Sequence, residues 1–159
     1  MLFSSNWLAR YVELPEETDQ LAELLTRCGM VVEEIRSHSD GVLLDLDIPT
    51  NRVDAMNHYG LAREIATARR IDLQMPEIIV NQSGPATDEL TTIAIDDLDG
   101  CPRYTARLIR GVKVGPSPQW LGDLIESIGL RPLNNVADIT NFVLWELGHP
   151  LHAFDFDRL

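Results

Sequence analysis

The side chains with chemistry to offer concentrate in one stretch, Arg131–Asp155, which reads RPLNNVADITNFVLWELGHPLHAFD. Thr140 supplies a hydroxyl, Asn141 an amide and His152 an imidazole. An imidazole beside a hydroxyl and an amide can orient water or hydrogen-bond a substrate. Each also has a purely structural reading. The Thr140 hydroxyl can bond back to its own helix, Asn141 can face solvent, and His152 can be a satisfied core histidine. On residue types alone the three do not make a site. His38 and His58 read as surface residues, and His149 as a turn residue before Pro150. No phosphate-cradling glycine loop, zinc-ligand spacing or nucleophile elbow is present.

These groups depend on a helix. Val136, Ile139, Thr140, Val143, Leu144 and Leu147 recur at helical spacing, with Phe142 and Trp145 on the other side. A helix apolar on nearly every side needs protein around it. Gly148 and Pro150 should end it. Leu151–Asp155 then reads as a short core strand that buries His152 or aims it into a cleft.

Further elements follow from periodicity. Phe3–Val12 suggests a short helix bearing Trp7, Leu8 and Tyr11. Thr18 or Asp19 can cap a second helix lined by Leu21, Leu24, Leu25 and Cys28. Met30–Ile35 reads as a strand, Ser37–Gly41 as a hairpin loop, and Val42–Ile48 as an alternating, half-buried strand. Pro49–Asp54 is a turn. Asp54 or Asn57 should cap the next helix, where Gly60 implies a close backbone neighbour. Gln74–Glu89 is a linker with a short strand at Ile78–Val80. Strands are expected at Leu90–Ile95 and Arg103–Val112. A helix capped by Ser117, with Pro118 first and Trp120, Leu121, Leu124, Ile125 and Ile128 on its core face, precedes Gly129.

Composition narrows the classes. A hydrophobic content of 45% argues for a folded chain. No apolar run is long enough to span a bilayer, so no membrane partner is expected. Cys28 and Cys101 lack metal-ligand spacing and read as packing residues in a reducing, cytoplasmic setting. The net charge of −12, with no Lys or Arg between Arg70 and Arg103, argues against general nucleic-acid binding.

The letters also carry a resemblance. D-I-T-N-F followed by E-L-G-H-P-L-H-A-F-D is similar to the start of the editing domain of the bacterial phenylalanyl-tRNA synthetase beta subunit. F-S-S-N-W-L, T-N-R-V-D with G-L-A-R-E-I-A, and C-P-R-Y-T-A-R resemble that family's preceding segments. The resemblance implies an α+β fold. A small winged-helix-like module of three helices and a β-hairpin (residues 1–75) is followed by a linker (76–89). The start of a B3/B4-type editing domain (90–159) comes last. It implies that Thr140, Asn141 and His152 belong to a pocket that hydrolyses tyrosine wrongly esterified to tRNA-Phe, through a positioned water.

The same resemblance implies a parent ligase that charges tRNA-Phe with ATP and Mg²⁺, its active site on an alpha subunit in an α2β2 assembly. No aminoacylation residue, cofactor site or metal site is expected within these 159 residues. The short connection from Ile35 to Val42 implies that the family's oligonucleotide-binding-type insert is missing. The stop at Leu159 implies an N-terminal fragment, inactive alone in aminoacylation and with little or no editing, whose aromatic residues Phe142, Trp145, Phe154 and Phe156 lack part of their core. Two other classes fit the residues: a free-standing RNA-binding or editing module, and a protein-interaction module.

Overall fold

Phe3 organises the first part of the computed structural model, which describes residues 1–38 and 41–159. It is fully buried and lies in a strand, β1 (Leu2–Ser4), rather than in the expected Phe3–Val12 helix. The helix α1 is a single turn, Ser5–Leu8, begun by the Ser4 hydroxyl, which accepts the Trp7 N–H at 3.4 Å. The strand wins because β3 (Gly41–Asp47) offers backbone partners, setting Phe3 opposite Leu44. Between them runs α2, Thr18–Arg27, with Leu21 and Leu25 buried. Its N-cap is Glu17, which makes no side-chain cap bond, so neither Thr18 nor Asp19 caps it. It ends at Gly29 (φ 87°), with Met30 N–H reaching back to Leu25 O at 3.0 Å, a 6→1 closure that needs a left-handed residue.

The sheet is mixed with helices and has three antiparallel strands in the order β1-β3-β2. Strand β2 spans Val31–His38, longer than expected, and pairs with β3 from Val31↔Asp47 to His38↔Gly41, with a bulge between Val32 and Glu34. The hairpin loop expected at Ser37–Gly41 lies partly outside the described residues. Leu44, Leu46 and Ile48 point inward, which is the period-2 alternation of a one-sided sheet. After the turn comes α3, His58–Arg69, whose N-cap Asn57 accepts the Gly60 N–H at 2.7 Å. A Cβ on Gly60 would sit 1.8 Å from Asp54 O, so the expected close backbone neighbour is there. In the T-N-R-V-D corner, Arg52 bridges Asp54 and Glu64 while Arg63 pairs with Asp54. These pairs are half-exposed and shape the turn more than they stabilise it.

Packing groups the chain into two units, Met1–Pro76 with Val114–Leu159, and Glu77–Lys113. In the first, α4 (Gln119–Ser127) and α5 (Asn135–Leu147) pack on the same core as Phe3, Trp7 and Leu44. Ile128 is part of that core, and Phe142 and Trp145 lie against it. Leu121, Ile125 and Ile128 are buried as expected, while Trp120 is half-exposed.

The second unit corrects three expectations. Ile78–Val80, Leu90–Ile95 and Arg103–Val112 form no strands. The unit's backbone hydrogen bonds are local turns, such as Leu90 N–H to Thr87 O and Cys101 N–H to Asp97 O. A strand is defined by its neighbour, and no extended segment of this unit lies in register with another. Ile93, Tyr104, Ile109 and Val112 are accordingly exposed.

Candidate functional site: helix α5 and the segment that follows it

Helix α5 is fastened at both ends. Asn134 caps its start, accepting from Val136 N–H at 3.1 Å and Ala137 N–H at 3.0 Å. In the first turn Asp138 is completely buried. Its carboxylate accepts from Leu133 N–H at 2.9 Å and from the Ser117 hydroxyl at 2.5 Å. A buried carboxylate must be saturated with donors, and this one draws the start of α4 onto α5. Ser117 is therefore not the α4 cap. Pro118 holds that position without a side-chain bond. At the other end Gly148 adopts φ 71° and donates to Leu144 O at 2.8 Å. A Cβ there would lie 2.7 Å from Asn57 Nδ2.

Thr140 and Asn141 stand side by side on this helix, both half-buried. The Thr140 hydroxyl donates to Ala137 O at 2.7 Å, the back-bonded arrangement, which leaves the oxygen's lone pairs able to accept. His152 is exposed in an irregular segment, its ring centroid 6.4 Å from that of Phe154. The core strand expected at Leu151–Asp155 does not form. No neighbouring strand takes up its backbone, and Leu151 and Phe154 are exposed. Among the described residues no hydrogen bond joins any two of Thr140, Asn141 and His152. The structure thus pairs the first two by adjacency and leaves the imidazole on a separate, solvent-facing stretch.

The faces of α5 divide by composition. Phe142 stacks on Trp7 with centroids 5.2 Å apart and meets the edge of Trp120 at 5.6 Å. Trp145 approaches Phe3 edge-on at 6.3 Å. Phe142 and Trp145 thus find packing partners within the chain while remaining only partly buried. Phe154 and Phe156 are exposed, as are Ile139, Leu144 and Leu147 on the apolar stripe.

Sequence reasoning missed His58. It reads there as a surface residue, but it is fully buried. Its ring stacks on Trp7 at 4.0 Å. Nδ1 lies 2.8 Å from Trp145 O, and Nε2 accepts Ser4 N–H at 3.2 Å. Because Nε2 accepts, Nδ1 carries the proton, and the imidazole is neutral. Burial pushes its pKa down to about 3, against a smaller upward pull from the Trp145 carbonyl. The signal was in the spacing: position 58 precedes Leu61, Ala62 and Ile65 on the apolar face of α3. Nearby, the Tyr11 hydroxyl donates to the Glu146 carboxylate. Burial first, then Glu146, raises the phenol above its ordinary range.

The donor set is unsuited to a metal ion. Among the described residues no group of three or more His, Cys, Asp or Glu converges on one point.

Known proteins give a consistent picture. The B3/4 domain family matches residues 100–159. The phenylalanine-tRNA ligase beta subunit of Rhodopirellula baltica is 42% identical over 159 residues, covering 100% of this chain and 23% of the relative. That of Moorella thermoacetica is 45% identical over 163 aligned positions, covering 100% of this chain and 20% of the relative. That of Syntrophus aciditrophicus is 48% identical over 114 residues, or 72% of this chain and 14% of the relative. The chain spans at most 23% of the length of these relatives. With its B3/4 match over residues 100–159 and this identity along its whole length, the chain belongs to the family of phenylalanine-tRNA ligase beta subunits.

Proposed function

We propose that the chain serves within a phenylalanine-tRNA ligase (phenylalanyl-tRNA synthetase), contributing scaffold and one wall of a pocket that hydrolyses Tyr-tRNA-Phe. The observation that carries this is the 42% identity to a beta subunit over all 159 residues. The parent assembly charges tRNA-Phe using ATP and Mg²⁺ with an alpha subunit, in the cytoplasm. Residues 1–75 act as a winged-helix-like scaffold, to which α3 and the β1-β3-β2 sheet lend the layout. Residues 90–159 begin the editing domain, in keeping with the B3/4 match over 100–159.

In the pocket, Thr140 and Asn141 offer a hydroxyl and an amide from adjacent positions of α5. The hydroxyl oxygen, already donating to Ala137 O, accepts from the substrate or from water. Water attacks the aminoacyl ester carbon and gives up a proton; the tetrahedral intermediate breaks its bond to the ribose oxygen, which takes that proton to become the free hydroxyl. His152 orients that water or relays its proton. For this the 148–155 segment must bring the imidazole over α5.

Release of tyrosine from mischarged tRNA-Phe tests the proposal, comparing the ligase assembly with its Thr140→Ala, Asn141→Ala and His152→Ala variants. Hydrolysis should fall in each while aminoacylation persists. Full hydrolysis in all three would remove the editing role. The 159-residue chain alone should charge no tRNA and release little or no tyrosine.

A further inference from the structure

We propose that His58 is a positioning residue for the α5 wall of the editing pocket, acting as a C-terminal cap supplied to that helix by a different element. The link to editing rests on the function proposed above. The capping itself stands on the contacts around the ring.

A helix leaves its last carbonyls without intrahelical donors. In α5, Leu144 O is closed by Gly148 N–H at 2.8 Å. The next carbonyl, Trp145 O, is met by His58 Nδ1 at 2.8 Å. The other ring nitrogen takes up Ser4 N–H, a donor of strand β1, at 3.2 Å. One neutral imidazole thus satisfies two backbone groups from distant parts of the chain. Phe3, Ser4, Trp7 and Trp145 surround the ring, and none carries a charge. Few side chains donate at one edge and accept at the opposite edge of a flat, stackable frame.

The preceding residue strengthens the joint. Asn57 caps α3 through Gly60 N–H, and its amide fills the space a Cβ on Gly148 would need. Asn57 and His58 together therefore fix both the height of the last turn of α5 and the point where the chain leaves it. A helix is stiff over one or two turns, rising about 1.5 Å per residue. Holding Trp145 and Gly148 sets where Thr140 and Asn141 stand and in which direction the segment bearing His152 departs.

Two substitutions separate capping from bulk packing. His58→Phe keeps a flat ring against Trp7 and removes both hydrogen bonds. His58→Asn places an amide donor near the position of Nδ1. In the 159-residue chain, amide exchange from Thr140 to Gly148 should speed up by about tenfold in His58→Phe and largely recover in His58→Asn. Exchange in the β2–β3 ladder should stay as it was. Unchanged exchange in α5, or equal loss throughout the unit, would overturn the proposal. Should His58→Phe fail to fold, nitrogen spectra of the wild-type histidine decide instead. A protonated Nδ1 with a bare Nε2 supports capping, and the reverse tautomer defeats it.

In the ligase assembly, His58→Phe should lower kcat for Tyr-tRNA-Phe hydrolysis by about tenfold or more, as misplacement does, with KM and aminoacylation held. His58→Asn should restore it. If Thr140→Ala and Asn141→Ala abolish hydrolysis while His58→Phe does not, positioning by His58 fails alone. If neither site variant affects hydrolysis, the editing function fails, and the exchange result still judges the cap.

Discussion

His58 Nδ1 lies 2.8 Å from the carbonyl oxygen of Trp145, across 87 residues of chain. The bond joins the first turn of α3 to the last turn of α5, inside a pocket of aromatic rings. It makes the packing of α5 on the sheet depend on a neutral imidazole, and it has a pH signature.

The folded-state pKa of His58 is lowered to about 3 from the ordinary 6.5. The unfolded chain therefore binds a proton that the folded chain refuses whenever the pH lies between those values. The stabilisation from a neutral His58 is whole above about 6.5 and is lost as the pH falls toward 3. The loss amounts to up to about 1.4 kcal/mol per pH unit. Urea unfolding from pH 7 to pH 4 should show wild type losing stability faster than His58→Phe, which has no such proton to take up. Parallel slopes would mean that the imidazole is solvated or already charged.

Gly60 and Gly122 both lie in helices but should respond to alanine with opposite signs. A Cβ on Gly60 meets backbone, Asp54 O, at 1.8 Å, whereas one on Gly122 has only Pro132 Cγ at 4.0 Å. Alanine at an unobstructed helical site gains roughly 0.5–1 kcal/mol. Gly122→Ala should raise Tm accordingly. Gly60→Ala must push α3 off the Asp54 turn and should cost about 1–3 kcal/mol, as overpacking does. Thermal melts of the two variants settle both signs.

The pattern of what the sequence showed follows from the range of the interactions. Strand β3 was legible because Leu44, Leu46 and Ile48 alternate against a buried face. The stop of α5 at Gly148 was legible because capping is local, whereas its N-cap Asn134 was not singled out. The back-bonded Thr140 hydroxyl was one of two readings that the residue type allowed. Leu90–Ile95 and Arg103–Val112 have strand-like composition, but pairing requires a partner that composition does not name. Phe3 went the other way, taken from a helix by a partner strand far along the chain. His58 was missed because a lone polar residue at a helix start suggests solvent, although its spacing to Leu61 and Ile65 placed it on the buried face. Asp138 was missed for the same reason. Its role appears only when Leu133 and Ser117 converge on it.

Asp138 should be the most sensitive polar position of α5. Its carboxylate is buried and satisfied by Leu133 N–H and the Ser117 hydroxyl. Asp138→Ala strands both donors and should cost about 2–4 kcal/mol. Ser117→Ala removes one of two partners and should cost less, about 1 kcal/mol. The double variant should fall short of the sum, because the two residues share one hydrogen bond. Denaturant unfolding of the single and double variants gives the coupling directly, and additive losses would show the 2.5 Å contact to be energetically idle.

Thr140 is where structure and chemistry should come apart. Its hydroxyl donates to Ala137 O within the same helix turn, so removing it leaves no donor stranded. Alanine is also the better helix former, by roughly half a kcal/mol, which offsets the small loss of methyl packing at a half-buried position. Thr140→Ala should therefore leave the stability of the chain within about 0.5 kcal/mol of wild type. If the hydroxyl helps to hold water or substrate, the same change should slow Tyr-tRNA-Phe hydrolysis by the ligase by about 10²-fold. A variant that melts normally but edits poorly places the hydroxyl in the reaction. One that edits normally leaves it a helix residue and nothing more, and one that unfolds early shows its hydrogen bond to Ala137 to be structural.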